Sequence, residues 1–222
     1  MIKVWEQFSK EFGPLLGEFI KLNKFKTIVE IGVAFGTTTY YLCEAAKENE
    51  GVVHGFDVWA VHGQRRQFPA LSNKDAVDKY LREKGVSNFY LTQIDTKSQE
   101  FKKQLSGLKK IDFAFIDGDH SYAGVKADFD AVYPLLSDTG MVVFHDTFMI
   151  DGSREFMIDL RTKFNDGTYD IIDIPWGNGA RRVGISILSK RVFKYCDLKI
   201  DEICGSKSKP EDIYKKEKAY YG

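Results

Sequence analysis

Two short runs of the chain, Asp117-Gly118-Asp119-His120 and His145-Asp146-Thr147, combine carboxylates with imidazoles. Carboxylate oxygens are hard donors that can hold a divalent cation with open positions, and a hydroxyl bound at such a cation loses its proton more readily. An imidazole nearby can take that proton near neutral pH. A third run, Glu30-Ile31-Gly32-Val33-Ala34-Phe35-Gly36-Thr37, places an acidic side chain before a glycine turn. Its G-x-x-x-G spacing, with the bulky Phe35 inside the turn, does not suit the close approach of a pyrophosphate, and Glu30 would repel that dianion. The same carboxylate favours a cationic ligand. Asp57 could accept hydrogen bonds from both hydroxyls of a ribose. A nucleoside carrying positive charge and no phosphate meets all these conditions, and S-adenosylmethionine, with its sulfonium and ammonium, is one.

These residues need elements that bring them to one place. Thr27 to Val33 reads as a buried strand ended by glycine, and Gly36-Thr37-Thr38-Thr39 opens a helix through Tyr40, Leu42 and Ala46. The alternation continues with strands at Val52 to Val58, Phe89 to Ile94, Ile111 to Ile116 and Met141 to Phe144. The helices between and after them are Asn73 to Lys84, Lys97 to Leu105, one with Tyr122, Val125, Phe129, Val132 and Leu136 on one face, and Arg154 to Phe164. Strands separated by helices pair in parallel, because a parallel crossover needs a helix-length return. The last two strands, Tyr169 to Ile174 and Val183 to Leu188, have no helix between them and form a hairpin. The expected fold is α/β: a doubly wound, mostly parallel seven-stranded sheet with an antiparallel edge hairpin and helices on both faces. Ligands of such sheets bind outside the carboxyl ends of the strands, near the point where strand order reverses. Glu30 to Gly36, Asp57, Asp95-Thr96, Asp117 to His120 and His145 to Thr147 all stand at or after strand ends.

Ahead of the sheet, apolar residues from Val4 to Ile20 recur at helical spacing, and Gly13-Pro14 predicts a break or kink there. The expected organisation is an N-terminal helical segment over residues 1–25, the ligand-binding domain over 26–191 and a polar, lysine-rich extension over 192–222. In that extension Tyr214, Tyr220 and Tyr221 leave docking on the body or on a second copy open.

Composition removes other classes. The chain has 222 residues, of which 43% are hydrophobic and 14% aromatic, which supplies a core and excludes disorder as the main state. Its 32 basic and 32 acidic side chains balance, so no overall field draws it to nucleic acid. No segment reaches roughly 18 consecutive apolar residues, which argues against a membrane partner, and the N-terminus lacks a signal-peptide core. Cys43, Cys196 and Cys204 are too scattered for a disulfide framework or a zinc site. A cytoplasmic location is expected.

The segments VEIGVAFGTTT, GFD, FIDGDHSYAGVKADFDAVYPLL and GMVVFHDT together resemble the Rossmann-like S-adenosylmethionine-dependent methyltransferases. The resemblance is to the branch of catechol-type and macrocin-type O-methyltransferases, with cephalosporin-hydroxylase-like proteins nearby, and covers about Lys26 to Leu188. It implies that Glu30, Gly32, Gly36, Thr37, Asp57, Asp95, Thr96 and Asp117 line the cofactor, with Thr96 near the adenine. It further implies that Asp117 and Asp146 bind Mg2+ or another divalent cation, and that His120 is the base. Two positions depart from the pattern: the catechol-type enzymes have an amide where Thr147 stands, and the macrocin-type enzymes an acid where His145 stands. The implied reaction is methyl transfer to a hydroxyl of a small molecule of sugar, phenol or secondary-metabolite type. A cephalosporin-hydroxylase-like enzyme and a non-catalytic S-adenosylmethionine-binding protein are the alternatives, and glycine spacing and Glu30 disfavour a nicotinamide-dependent oxidoreductase.

The remaining polar residues have simpler readings. Asp119 and Ser121 are expected to cap the helix that follows. His120 is expected in the first turn of that helix, where the dipole disfavours an imidazolium. His145 is expected to bond a backbone group. The loop from Trp59 to Ser72, containing His62, Arg65 and Arg66, has the length of a lid. The link from Trp176 to Arg182, with Arg181 and Arg182, offers stacking and anion-pairing groups on the same side.

Overall fold

The computed structural model describes residues 2–59, 73–176 and 183–191, with side chains from Ser9 onward. The loop residues His62, Arg65 and Arg66, the pair Arg181 and Arg182, Cys196, Cys204 and the extension with its three tyrosines lie outside the described residues.

The elements run α1 (Ile2–Leu22), β1 (Thr27–Ile31), α2 (Thr37–Glu48), β2 (Val52–Asp57), α3 (Lys74–Glu83), β3 (Phe89–Gln93), α4 (Gln99–Gly107) and β4 (Ile111–Ile116). They continue with α5 (Tyr122–Val132), a 3-10 turn (Tyr133–Leu135), β5 (Leu136–His145), α6 (Asp151–Thr162), β6 (Tyr169–Ile174) and β7 (Ile185–Lys190). The strands form one seven-stranded sheet in the order β3-β2-β1-β4-β5-β7-β6. All neighbours from β3 to β5 pair in parallel, and β7 inserts antiparallel between β5 and β6. This is the expected doubly wound, mostly parallel sheet with its antiparallel edge hairpin. Strand order reverses between β1 and β4, so the glycine turn and Asp117 meet at the switch point, where ligands of open sheets bind.

The two faces carry separate cores. Phe12, Leu16 and Ile20 of α1, Leu42 of α2 and Val77 and Leu81 of α3 cover one face. Phe101 and Leu105 of α4, Val125, Phe129 and Val132 of α5 and Phe156 and Leu160 of α6 cover the other. Central strands buried on both sides read as apolar runs, and β4, Ile-Asp-Phe-Ala-Phe-Ile, is buried at every position except Asp112. Among the described residues no helix is long and apolar enough to cross a membrane.

Four local expectations need correction. The helix α1 continues through Pro14. A proline inside a helix costs about 3 kcal/mol, whereas burying three large side chains such as Phe12, Leu16 and Ile20 contributes about 1.5–3 kcal/mol each, so packing wins. Gly13 helps by admitting the Tyr41 ring: a Cβ there would stand 2.5 Å from Tyr41 Cδ2. Second, α5 stops at Val132, and Leu136, expected on its face, begins β5. Third, β5 extends back to Leu136 because its pairing with β4 is irregular, jumping from Ile111–Leu136 to Phe113–Met141. Fourth, α6 starts at Asp151, three residues before the expected Arg154.

Candidate active site

The turn after β1 is built from close backbone approaches. Gly32 has φ +91°, its N–H donates to Phe56 O at 2.9 Å, and a Cβ on it would lie 2.2 Å from Asp117 O. Only glycine lets the β1 turn and the end of β4 touch in this way. Gly36, with φ +75°, precedes α2 as its N-cap and lies against Val77 of α3. Asp57 ties this turn to the end of β2: Oδ2 accepts from Ala34 N at 2.8 Å and Oδ1 from Trp59 N at 2.7 Å, while Trp59 Nε1 donates to Ala34 O at 3.0 Å. Each Asp57 oxygen thus holds a backbone N–H and keeps a second lone pair for a ligand. Ala34, Trp59 and Asp146, at φ +48°, +38° and +56°, place non-glycine residues in the left-handed region at the ends of β1, β2 and β5. Such conformations cost energy and concentrate at functional sites.

Glu30 is fully buried in β1. Its Oε2 accepts from Thr39 Oγ1 at 2.6 Å, and Oε1 has no partner. Burial holds its carboxyl well above the usual range, Asp117 and Asp57 add to that push, and the Thr39 bond opposes it. Burial thus disfavours the expected negative charge on Glu30, and a cation brought beside it would favour it. Thr37, at the first turn of α2, is buried and bonded to Ser9 of α1, with Oγ–Oγ1 at 2.7 Å; Ser9 also reaches Thr38 Oγ1 at 3.2 Å.

At the ends of β4 and β5, four side chains converge. His145 Nδ1 lies 3.0 Å from Asp117 Oδ1 and 3.5 Å from Asp146 Oδ2. His120 Nε2 lies 3.7 Å from Asp117 Oδ1 and 3.6 Å from Asp146 Oδ2. Two expectations change here. His145 bonds a carboxylate rather than a backbone group. His120 stands before Ser121, which is the N-cap of α5, so it lies outside the helix, and the two carboxylates at under 4 Å dominate its surroundings. Burial alone would lower the His145 pKa, but Asp117 and then Asp146 outweigh it and raise it to about 10. Asp146 shows the opposite balance: burial pushes it up, and the two histidines bring it below its ordinary value.

Asp117, His120 and Asp146 each present a ligand atom, all within 4.8 Å of one another. Asp146 Oδ1 is buried without a partner. Two carboxylates at this spacing, one of them with an unpartnered buried oxygen, fit a divalent cation, and His120 stands beside them. Thr147 does not join them, since its Oγ1 accepts from Ser186 Oγ at 2.9 Å toward β7.

The remaining predicted residues lie after β3. Asp95 is exposed and accepts from Lys97 N at 2.9 Å in a local turn, and Thr96 is half-buried beside it. Ser121 caps α5 by accepting from Gly124 N at 3.1 Å. Asp119 accepts from Ser121 N at 3.0 Å and from Lys97 Nζ at 2.6 Å. Three neighbours of these residues were missed. Ser9 and Phe12, whose ring lies 4.8 Å from that of His145, come from a helix that carried no chemical signal. Asp128, only 1% exposed in α5, did carry one: a charged residue between Val125 and Val132 on the apolar stripe.

The methyltransferase-domain family matches residues 29–147, more than half of the chain. An uncharacterized protein of Sinorhizobium fredii, y4gI, is 27% identical over 139 residues, which span 61% of this chain and 14% of that much longer relative. The O-methyltransferase TomG from Streptomyces achromogenes, involved in tomaymycin synthesis and solved with SAM, superposes with a TM-score of 0.65 at 17% identity, covering 81% of this chain and 79% of that one. An O-methyltransferase from Bacillus cereus in complex with SAH gives 0.59 at 13% identity over 81% and 80% of the two chains.

Proposed function

Because the chain belongs to the methyltransferase-domain family, we propose that it transfers the methyl group of S-adenosylmethionine to a hydroxyl oxygen of a small molecule, with His120 as the base. The observation that carries this reading is the convergence of Asp117, His120 and Asp146 beside the glycine turn at the switch point of the sheet. The turn, Asp57 and the first turn of α2 hold the cofactor, with its cationic end near Glu30 and its ribose at Asp57. The acceptor hydroxyl lies at His120, whose Nε2 faces both carboxylates. As the acceptor oxygen forms its bond to the methyl carbon, the sulfur–methyl bond breaks and the hydroxyl proton passes to His120. The products are a methyl ether and S-adenosylhomocysteine.

Asp117 and Asp146 would hold a divalent cation, which lowers the pKa of a hydroxyl at that position. His145 bonds Asp117 at 3.0 Å and holds that carboxylate in place, and Phe12 shields one face of its ring.

The test is transfer of labelled methyl from S-adenosylmethionine to a panel of phenols and sugars. General-base assistance is worth about 10²–10⁴-fold, so His120→Ala should slow the single-turnover rate by that factor while cofactor affinity and melting temperature hold. A fall in melting temperature with an unchanged rate removes His120 from the chemistry. Tight cofactor binding with no transfer to any acceptor favours a non-catalytic role.

A further inference from the structure

The turn that carries Asp146 is held from the β7 side by a chain of side chains. Asp146 has φ +56°, a left-handed conformation that costs a non-glycine residue energy and persists only where the surroundings enforce it. Two backbone bonds border the turn, from Phe148 N to Val183 O at 3.1 Å and from Ile150 N to Asp146 O at 3.2 Å. Its side-chain tie runs through Ser186. That residue is 1% exposed and is the one polar side chain among the buried positions of β7, beside Ile185, Ile187 and Leu188. A hydroxyl buried there is costly without partners. It has two: Ser186 Oγ lies 2.9 Å from Thr147 Oγ1 and 2.5 Å from Asp173 Oδ1. Asp173 is its cross-strand neighbour in β6 and pairs in turn with Arg161 of α6. Arg161 is anchored on its own helix by donating to Met157 O at 2.8 Å. The chain closes a ring: the turn leads into α6, α6 supplies Arg161, and Arg161, Asp173 and Ser186 return to Thr147.

We propose that Ser186 is a positioning residue for the cation site, acting through Thr147 to hold the Asp146 carboxylate beside Asp117 and His120. The inference rests on the reading above that Asp117 and Asp146 hold a divalent cation. Thr147 follows Asp146 directly and is itself buried, so fixing its hydroxyl on β7 fixes the peptide that joins the two residues. In that setting Asp146 Oδ2 stands 3.6 Å from His120 Nε2, and Oδ1 is buried with no partner from the protein. Released from Ser186, the turn can relax out of the left-handed region, and the carboxylate then leaves the cluster. Neither Ser186 nor Thr147 carries a charge. Removing either hydroxyl therefore alters the geometry of the site and not the number of charges that attract a cation.

The experiment is calorimetry of Mg2+ binding to the full chain, with S-adenosylhomocysteine affinity and melting temperature measured on the same samples. Ser186→Ala and Thr147→Val should each weaken Mg2+ binding about 10-fold, the lower end of what removing an outer support of a metal ligand costs. Because both act through one bond, the double variant should lose no more than either alone. Thr147→Ser keeps the hydroxyl and should return the affinity to within a few-fold of wild type. Affinity for S-adenosylhomocysteine should hold throughout, since the glycine turn and Asp57 belong to other strands. A merely structural Ser186 would lower the melting temperature and leave Mg2+ affinity intact, and that result overturns the inference. Losses that add in the double variant overturn it as well, because Ser186 then does not act through Thr147. A wild type that binds no Mg2+ removes the cation reading and this inference together, whereas undiminished binding in the variants of a protein that does bind it removes this inference alone.

Discussion

Replacing Gly32 by alanine tests whether the site depends on the contact between the β1 turn and the end of β4. The residue has φ +91°, and its Cβ would lie 2.2 Å from Asp117 O, 2.4 Å from Asp117 C and 2.7 Å from Gly118 N. All three are backbone atoms, so no side-chain rotation relieves the clash. The left-handed conformation alone costs an alanine roughly 1–2 kcal/mol. Forcing atoms into a filled space adds about 1–3 kcal/mol, for a total of about 2–5 kcal/mol. Gly85 is the control, because it has φ +85° and nothing within 4 Å of its Cβ. Gly85→Ala should therefore lose only the conformational part, about 1–2 kcal/mol.

Urea unfolding of both variants, followed by circular dichroism, separates the two contributions. The expected result is a lower midpoint for Gly32→Ala than for Gly85→Ala, with the same m-value. Only Gly32→Ala should lose cofactor binding and methyl transfer, since a shift of about 1 Å at Asp117 can cost on the order of 100-fold in rate. If the two variants are equally stable and Gly32→Ala binds cofactor normally, the switch-point contact does not hold the site together.

Two further outcomes follow from the charged cluster. The folded-state pKa of His145, about 10, lies above the ordinary 6.5, so its pairing stabilises fully below about pH 6.5 and is lost as pH rises through about 10; urea midpoints in chelator should fall over that window, and His145→Gln should flatten the fall. Asp146→Asn should weaken Mg2+ binding at least about 10-fold by calorimetry on the protein alone while leaving circular dichroism unchanged, and equal Mg2+ affinity in the two proteins would remove Asp146 from the cation site.

The reach of the sequence can be traced residue by residue. β4 was legible to its end residues, because an apolar run bounded by polar turns leaves a buried strand little freedom; the edge strand β6 was legible from its pairing into a hairpin with no helix between. The helix α3 was legible to its caps, since Asn73 accepts from Ala76 N at 2.9 Å as an N-cap residue should. The break expected at Pro14 does not occur, because local propensity says nothing of the core that keeps α1 helical across it. That the candidate residues stand at the carboxyl ends of the strands was legible, since the fold rule fixes where those ends gather; their partners were not. No spacing indicates that His145 will turn to Asp117, 28 residues away, or that Ser9 will bond Thr37 across 28 residues. Those contacts exist only once the helices have docked.

Asp128 belongs to a third kind, visible in the sequence yet silent about its role. Its place on the apolar stripe of α5 announces a buried carboxyl, and burial of a carboxyl has few stable outcomes: a partner, a proton or a ligand-facing duty. The sequence cannot choose among them, because the choice depends on whether donors from β3, β4 and their loops arrive within reach. The structure sets Gly118 against it, where an added Cβ would lie 3.4 Å from Asp128 Oδ2. Its place behind the β4 turn is therefore a fact of the docked fold and not of the helix that carries it.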